Sequence, residues 1–157
     1  MAQHIASILA GVAGSVVFVG DPARYGALGY PVEPDRVTGC GPIGGIATAL
    51  EICPAEWALV VACDMPGITG DLLRRLLDEG IRAGAGCVMP LGATGAEPLC
   101  AVYHRDCLPI LEKAIAEGRF KMREVVRDLP IRQLAGVDAA CLRNLNTPEE
   151  FEAFPRP

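Results

Sequence analysis

Three observations predict an α/β protein with a three-layer, doubly wound, mostly parallel sheet. Apolar β-rich runs alternate with helical patterns along the chain. The connections between them are short, with no linker and no internal repeat. The most continuous apolar run, "WALVVACD", ends in a charge, as a strand buried on both faces of a parallel sheet does, which places it centrally.

The elements follow in order. A short helix starts close to the first residue, and "SVVFVGD" (15–21) reads as a strand. "PVEPD" is a short extended piece. Residues 42–53 make a helix with Pro42 well placed in its first turn, where a missing N–H loses no helical bond. In "TGDLLRRLLDEG", Thr69 is the expected N-cap, Leu72, Leu73, Leu76 and Leu77 form one apolar stripe, and Gly80 is the expected stop. "GCVMPL" and "PLCAVYH" are two further strands joined by "GATGAE". "CLPILEKAIAEG" is helical, with Leu108, Leu111 and Ile115 inward; a basic stretch follows, then "IRQLA" and a final short helix.

Composition narrows the class. With 157 residues the chain is one domain by size, and 51% apolar against 21% charged residues is an ordinary globular balance. The net charge of −5 argues against broad nucleic-acid binding. No apolar run reaches the roughly 18 residues of a membrane span. "MAQHIASILAGVAGS" has no basic n-region, so no secretory signal is expected. The seven cysteines are odd in number and include no C-x-x-C pair, which fits buried thiols in a reducing cytoplasm.

Two stretches carry the candidate chemistry. In "VTGCGPIGGI", Gly39, Gly41 and Gly44 spell G-x-G-x-x-G, but the preceding "YPVEPDRVT" is too polar for the buried strand that an NAD(P)-binding fingerprint needs. Three readings stand open for this loop: a dinucleotide-binding turn, a turn that lets the helix start pack tightly, or backbone that closely approaches a planar or phosphorylated ligand. In "ACDMPGIT", Asp64 stands at the carboxyl end of a strand, where open α/β sheets hold ligands, and Pro66 forces the chain out of the sheet. Asp64 there either holds Mg²⁺ against phosphate oxygens or caps the following turn.

Taken in order, "EPDRVTGCGPIGGI", "ACDMP", "GAEPLCAVYH" and "RNLNTPEEF" resemble the molybdenum cofactor guanylyltransferases, relatives of the sugar-activating nucleotidyltransferases. The resemblance runs from about residue 5 to residue 154, and "GPIGG" favours the guanine branch over the related cytidylyltransferases. It implies one Rossmann-like nucleotidyltransferase domain over residues 1–157. It also implies that Asp35, Gly39, Gly41, Pro42 and Gly44 help bind GTP, that Asp64 ligates Mg²⁺, and that Asn144 and Asn146 line the site near the phosphates or the pterin. Thr147, Pro148 and Glu150 read as an N-cap, a first-turn proline and a capping-box acid. The basic run holds Arg119, Lys121, Arg123, Arg127 and Arg132; a solvated helix face is the default, with Arg119, Lys121 and Arg123 the candidates to meet a phosphate-bearing substrate.

The implied reaction has the terminal phosphate of molybdopterin attack the α-phosphorus of GTP, with pyrophosphate leaving. The nucleophile is already an anion, so no general base is required, and His4 and His104 read as non-catalytic. Molybdoenzymes or other cofactor-biosynthesis proteins are the implied partners. One departure stands out: the family's L-A-G-G-x-S-x-R-M-G-x-D-K loop and the strand before it have no counterpart, and residues 4–14 match the helix that follows that loop. The expectation is therefore a sheet lacking its first central strand, with an exposed flank and little turnover. A gene start placed too late and an inactive copy are the two explanations; a non-catalytic, partner-binding protein is the alternative function.

Overall fold

A computed structural model of the chain describes residues 1–92, 95–145 and 150. Its helices are α1 (Ala2–Ala10), α2 (Pro22–Tyr25), α3 (Pro42–Ile52), α4 (Gly70–Ala83), α5 (Leu108–Ala116) and α6 (Met122–Val125). Its strands are β1 (Phe18–Val19), β2 (Val32–Glu33), β3 (Trp57–Val61), β4 (Cys87–Gly92), β5 (Gly95–Ala96), β6 (Cys100–His104) and β7 (Ile131–Leu134). The local signals act as expected at several ends. Pro42 opens α3, and the Thr69 hydroxyl accepts the Leu72 N–H at 3.2 Å as N-cap of α4.

Strand β6 pairs antiparallel with β3 over five residues, from Trp57↔His104 to Val61↔Cys100, and antiparallel with β4 on its other side. Strand β7 pairs parallel with β4, and β5 folds back on the end of β4. Because β3 and β4 both oppose β6, they run in the same direction, and β7 runs with them. β1 and β2 form a separate parallel pair. Two cavities, of about 410 and 310 Å³, separate β1 from β3. Residues 13–17 face 52–59 in the first, and residues 16–19 face 59–63 in the second. In the larger sheet β3, β4 and β7 thus run one way while β5 and β6 run the other. This is the mixed α/β arrangement that the alternation predicts, with the β1–β2 and β4–β7 pairs parallel and the pairs of β6 with β3 and β4, and of β5 with β4, antiparallel.

Alternation across the sheet builds two cores. Cys87, Met89, Ala101 and Tyr103 face α3 and α5, while Val88, Cys100 and Val102 face α4, with Ile8 and Leu9 of α1 packed against that cluster. The α4 residues Leu72, Leu73 and Leu76 are buried, each contributing about 1.5–3 kcal/mol by removal from water. The Tyr103 hydroxyl, wholly buried, donates to the Pro98 carbonyl at 2.7 Å. All seven cysteines are free thiols, and four are buried. Among the described residues no helix is long and apolar enough to cross a membrane.

Three details differ from expectation. α4 continues past Gly80 to Ala83 and stops at Gly84 in the left-handed conformation; Gly80 is internal because its bare Cα lets the Trp57 ring pack against the helix. β1 spans two residues rather than the whole of 15–21, since only its β2 side has a partner. β3 closes its sheet instead of lying at the centre, because the side facing β1 is open, and most of its residues are half-buried.

Candidate active site

The carboxyl ends of β1, β2 and β3 and the start of α3 gather on one side of the molecule. Asp64 stands in the turn three residues beyond β3. Its carbonyl accepts the Leu145 N–H at 2.8 Å, which fixes the preceding residue, Asn144, beside the turn. Gly67 makes that docking possible: a Cβ there would overlap the Ala140 carbonyl oxygen. Asp64 Oδ1 and Asn144 Oδ1 are both buried without a hydrogen-bond partner among the described residues. Two such orphaned oxygens are costly unless something outside the chain completes them. Both are hard oxygen donors of the kind a magnesium ion takes, so the residues present fit a divalent cation. Among the described residues no group of three or more His, Cys, Asp or Glu side chains could hold a metal. A cation at this site would rest on one carboxylate and an amide oxygen, with the remainder supplied by substrate and water.

The glycine loop divides in two. Gly39 and Gly41 have positive φ, +79° and +64°, and face open space, whereas a Cβ at Gly44 would come within 3.0 Å of the Val37 carbonyl oxygen. Gly39 and Gly41 thus present bare backbone to solvent, and Gly44 is needed for packing. Bends and turns, not a strand, lead into the loop, so the context of a dinucleotide fingerprint is absent there. Asp35 lies over the first turn of α3, with Oδ1 3.5 Å from where a Gly45 Cβ would stand. Beside it the Arg36 N–H donates to Thr48 Oγ1, and its guanidinium pairs with Glu51. Pro42 and Gly45 line the same cavity as Ala62 and Cys63, so the loop end of α3 and the strand tip share one end of the molecule.

The basic run is mostly engaged elsewhere. Arg119 pairs with Asp128 at 2.6 Å and Glu117 at 2.9 Å, Lys121 is 82% exposed beside Glu124, and Arg132 pairs with Glu79. Arg123 differs, since its charge acts on Glu97. Asn146, Thr147 and Pro148 lie outside the described residues. His104 is structural: its Nδ1 accepts the Asp106 N–H at 3.3 Å, and its ring sits edge-on to Trp57.

Four residues around the Asp64 turn, Glu97, Cys63, Arg24 and Tyr25, carry no sequence signal of a role there. Burial, then the Asp64 charge, pushes the half-buried Glu97 carboxyl up, with the Leu99 N–H and Arg123 working against it. Cys63 is raised by burial and by Asp64, and lowered by Arg24 and by its hydrogen bond with Tyr25. Helix α2 carries both Arg24 and Tyr25, with the guanidinium 5.3 Å from the Tyr25 ring centroid. The sequence shows only their position: Arg24 follows one strand end closely, and Glu97 precedes "PLCAVYH".

Residues 1–136 match the model of the MobA-like NTP transferase domain. A relative from Pelotomaculum thermopropionicum, named for molybdenum cofactor guanylyltransferase, is 32% identical, covering 96% of this chain and 77% of its own length. One of the same name from Flavobacterium johnsoniae is 28% identical over 95% of this chain and 79% of its own. The crystal structure of molybdopterin-guanine dinucleotide biosynthesis protein A from Archaeoglobus fulgidus superposes with a TM-score of 0.76 at 26% identity, covering 95% of this chain and 82% of that one. This chain belongs to the MobA-like NTP transferase family.

Proposed function

We propose that this chain binds GTP and molybdopterin and transfers GMP to the pterin's terminal phosphate. The observation that carries the reading is the pair of buried, unpartnered oxygens on Asp64 and Asn144 at the carboxyl end of a strand. In the proposed reaction a bond forms between a molybdopterin phosphate oxygen and the α-phosphorus of GTP. The bond from that phosphorus to the bridging oxygen breaks, and pyrophosphate leaves with the electron pair. Asp64 and Asn144 would hold Mg²⁺, which when bound supplies Lewis-acid neutralisation of phosphate charge. The Gly39–Gly41 backbone, with Asp35 beside the start of α3, would receive the guanine nucleotide. Arg24 is the basic side chain whose charge reaches the Asp64 turn, and Arg123 stands by Glu97. Arg119 and Lys121 would serve the pterin phosphate only after leaving their present acidic partners. The chain positions two anions and moves no proton, so it needs no general base.

A second reading, nucleotide binding without transfer, is supported by one observation: Arg119 and Lys121 are paired with Glu117, Asp128 and Glu124. The test is incubation with GTP labelled at the α-phosphate, molybdopterin and Mg²⁺. Label appearing in the pterin product from GTP but not from CTP is the expected result. Bound GTP with no label transferred would support the second reading, and failure to bind GTP would overturn both.

A further inference from the structure

We infer that Cys87 and Cys107 form an intramolecular oxidation site, at which a small peroxide converts two buried thiols into a disulfide tying the lead-in of α5 to β4. The inference is independent of the nucleotide chemistry proposed above, in which neither cysteine takes part.

The sheet brings the pair together. Cys87 opens β4 opposite Tyr103 of β6, and beyond His104 the chain turns through residues 105–107 into α5. That turn carries Cys107 back to the start of β4. The Cys107 thiol donates at 3.0 Å to the carbonyl of Gly86, the residue before Cys87, and the Cys87 thiol hydrogen-bonds to the Cys107 sulfur. Both side chains are wholly buried in the core cluster shared by α3 and α5. Elsewhere the thiols of Cys40 and Cys53 donate to the Thr38 and Trp57 carbonyls, and Cys63 pairs with Tyr25.

Three features favour oxidation of this pair. Joining the sulfurs strands no acceptor. The Gly86 carbonyl also takes the His104 N–H at 2.8 Å, and the Pro130 carbonyl, 3.9 Å from the Cys87 sulfur, also takes the N–H groups of Gly86 and Cys87 at 3.1 and 3.2 Å. Two weak donors disappear while each carbonyl keeps a backbone partner, so no buried polar group is orphaned. One sulfur is also readied for attack: the hydrogen bond from Cys87 draws the Cys107 thiol down, with burial and Asp106 working against it. Access comes from the turn, since Arg105 and Asp106 are exposed and a local opening of three residues bares Cys107 while the sheet stays paired.

The step balances. The Cys107 sulfur attacks one oxygen of hydrogen peroxide, the O–O bond breaks, and the displaced oxygen leaves as water with the thiol proton. The Cys87 sulfur then displaces the hydroxyl of the sulfenic acid so formed, which leaves as a second water with the Cys87 proton. The two thiols lose two electrons in all, and one peroxide is reduced to two waters.

The experiment treats the reduced full chain with hydrogen peroxide under native conditions, alkylates the remaining thiols in denaturant, and maps the peptides without reduction. The expected result is a Cys87–Cys107 cross-link as the major product, with Tm raised by about 5 °C or more and restored by dithiothreitol, because the bond constrains the unfolded chain. Cys87→Ala and Cys107→Ser, each checked for fold by circular dichroism, should lose that dithiothreitol-dependent shift, and either folded variant suffices. The inference is overturned if both thiols stay free at every peroxide concentration that leaves the chain folded, or if other cysteine pairs cross-link as readily. It is equally overturned if Cys107 proceeds to sulfinic acid with Cys87 still free, if the cross-linked chain melts no higher, or if a folded variant keeps the shift.

Discussion

The two flanks of β3 start from the same strand and end differently. On the β6 side every residue of β3 has a partner, and Cys100, Ala101, Val102 and Tyr103 are wholly buried. On the β1 side the same strand meets cavities, and only Ala58 of β3 falls within the core. β3 is the more apolar of the two strands, yet β6 is the better buried. Burial in a sheet is thus set by pairing on both edges and layering on both faces, and side-chain character alone does not deliver it.

The contrast can be broken most sharply by truncation. Leu73→Ala, on the completed flank, should cost about 2–5 kcal/mol. Val17→Ala, on the open flank, should stay within about 0.5 kcal/mol. Urea unfolding of both variants decides it, and comparable losses would mean that the flanks are equally packed. Next in size is Gly67→Ala, which drives a methyl into the Ala140 carbonyl and should cost about 1–3 kcal/mol. The same change should displace Asn144 from the Asp64 turn, read as a shift of the Asn144 side-chain amide resonances. An unmoved resonance would show that Gly67 does not position Asn144.

The smallest effect concerns Glu79, whose carboxyl is held below its usual range by hydrogen bonds from Arg82 and Arg132, tying α4 to β7. A depressed folded value contributes stability above the unfolded carboxylate range and loses it as pH falls through the folded value. Glu79→Gln should therefore lower Tm slightly at pH 7, and the difference from the unchanged chain should vanish in strong acid. A difference that persists there would assign the loss to packing.

How much was legible follows the same division. Alternation, the Thr69 cap, Pro42 and the run ending at Asp64 are local signals, and each produced the element or end expected of it. The stop expected at Gly80 failed because that glycine serves a tertiary contact with Trp57, which no local pattern records. β3 was placed centrally because its composition suits a central strand; its open edge depends on what lies beside it in space. Asp64 and Asn144, 80 positions apart in the chain, are brought together by one backbone bond, from the Leu145 N–H to the Asp64 carbonyl, that spacing could not reveal. Glu97 and Arg24 were missed for the same reason, since their relevance comes from neighbours on other strands.

The central claim is that Asp64 and Asn144 seat a divalent cation, and a titration with Mn²⁺ as probe, following the free ion by electron paramagnetic resonance, tests it most directly. The account predicts one site in the unchanged chain, weakened about tenfold or more by Asp64→Asn and also weakened by Asn144→Leu. Equal Mn²⁺ affinity in all three proteins, with circular dichroism showing each folded, would contradict it.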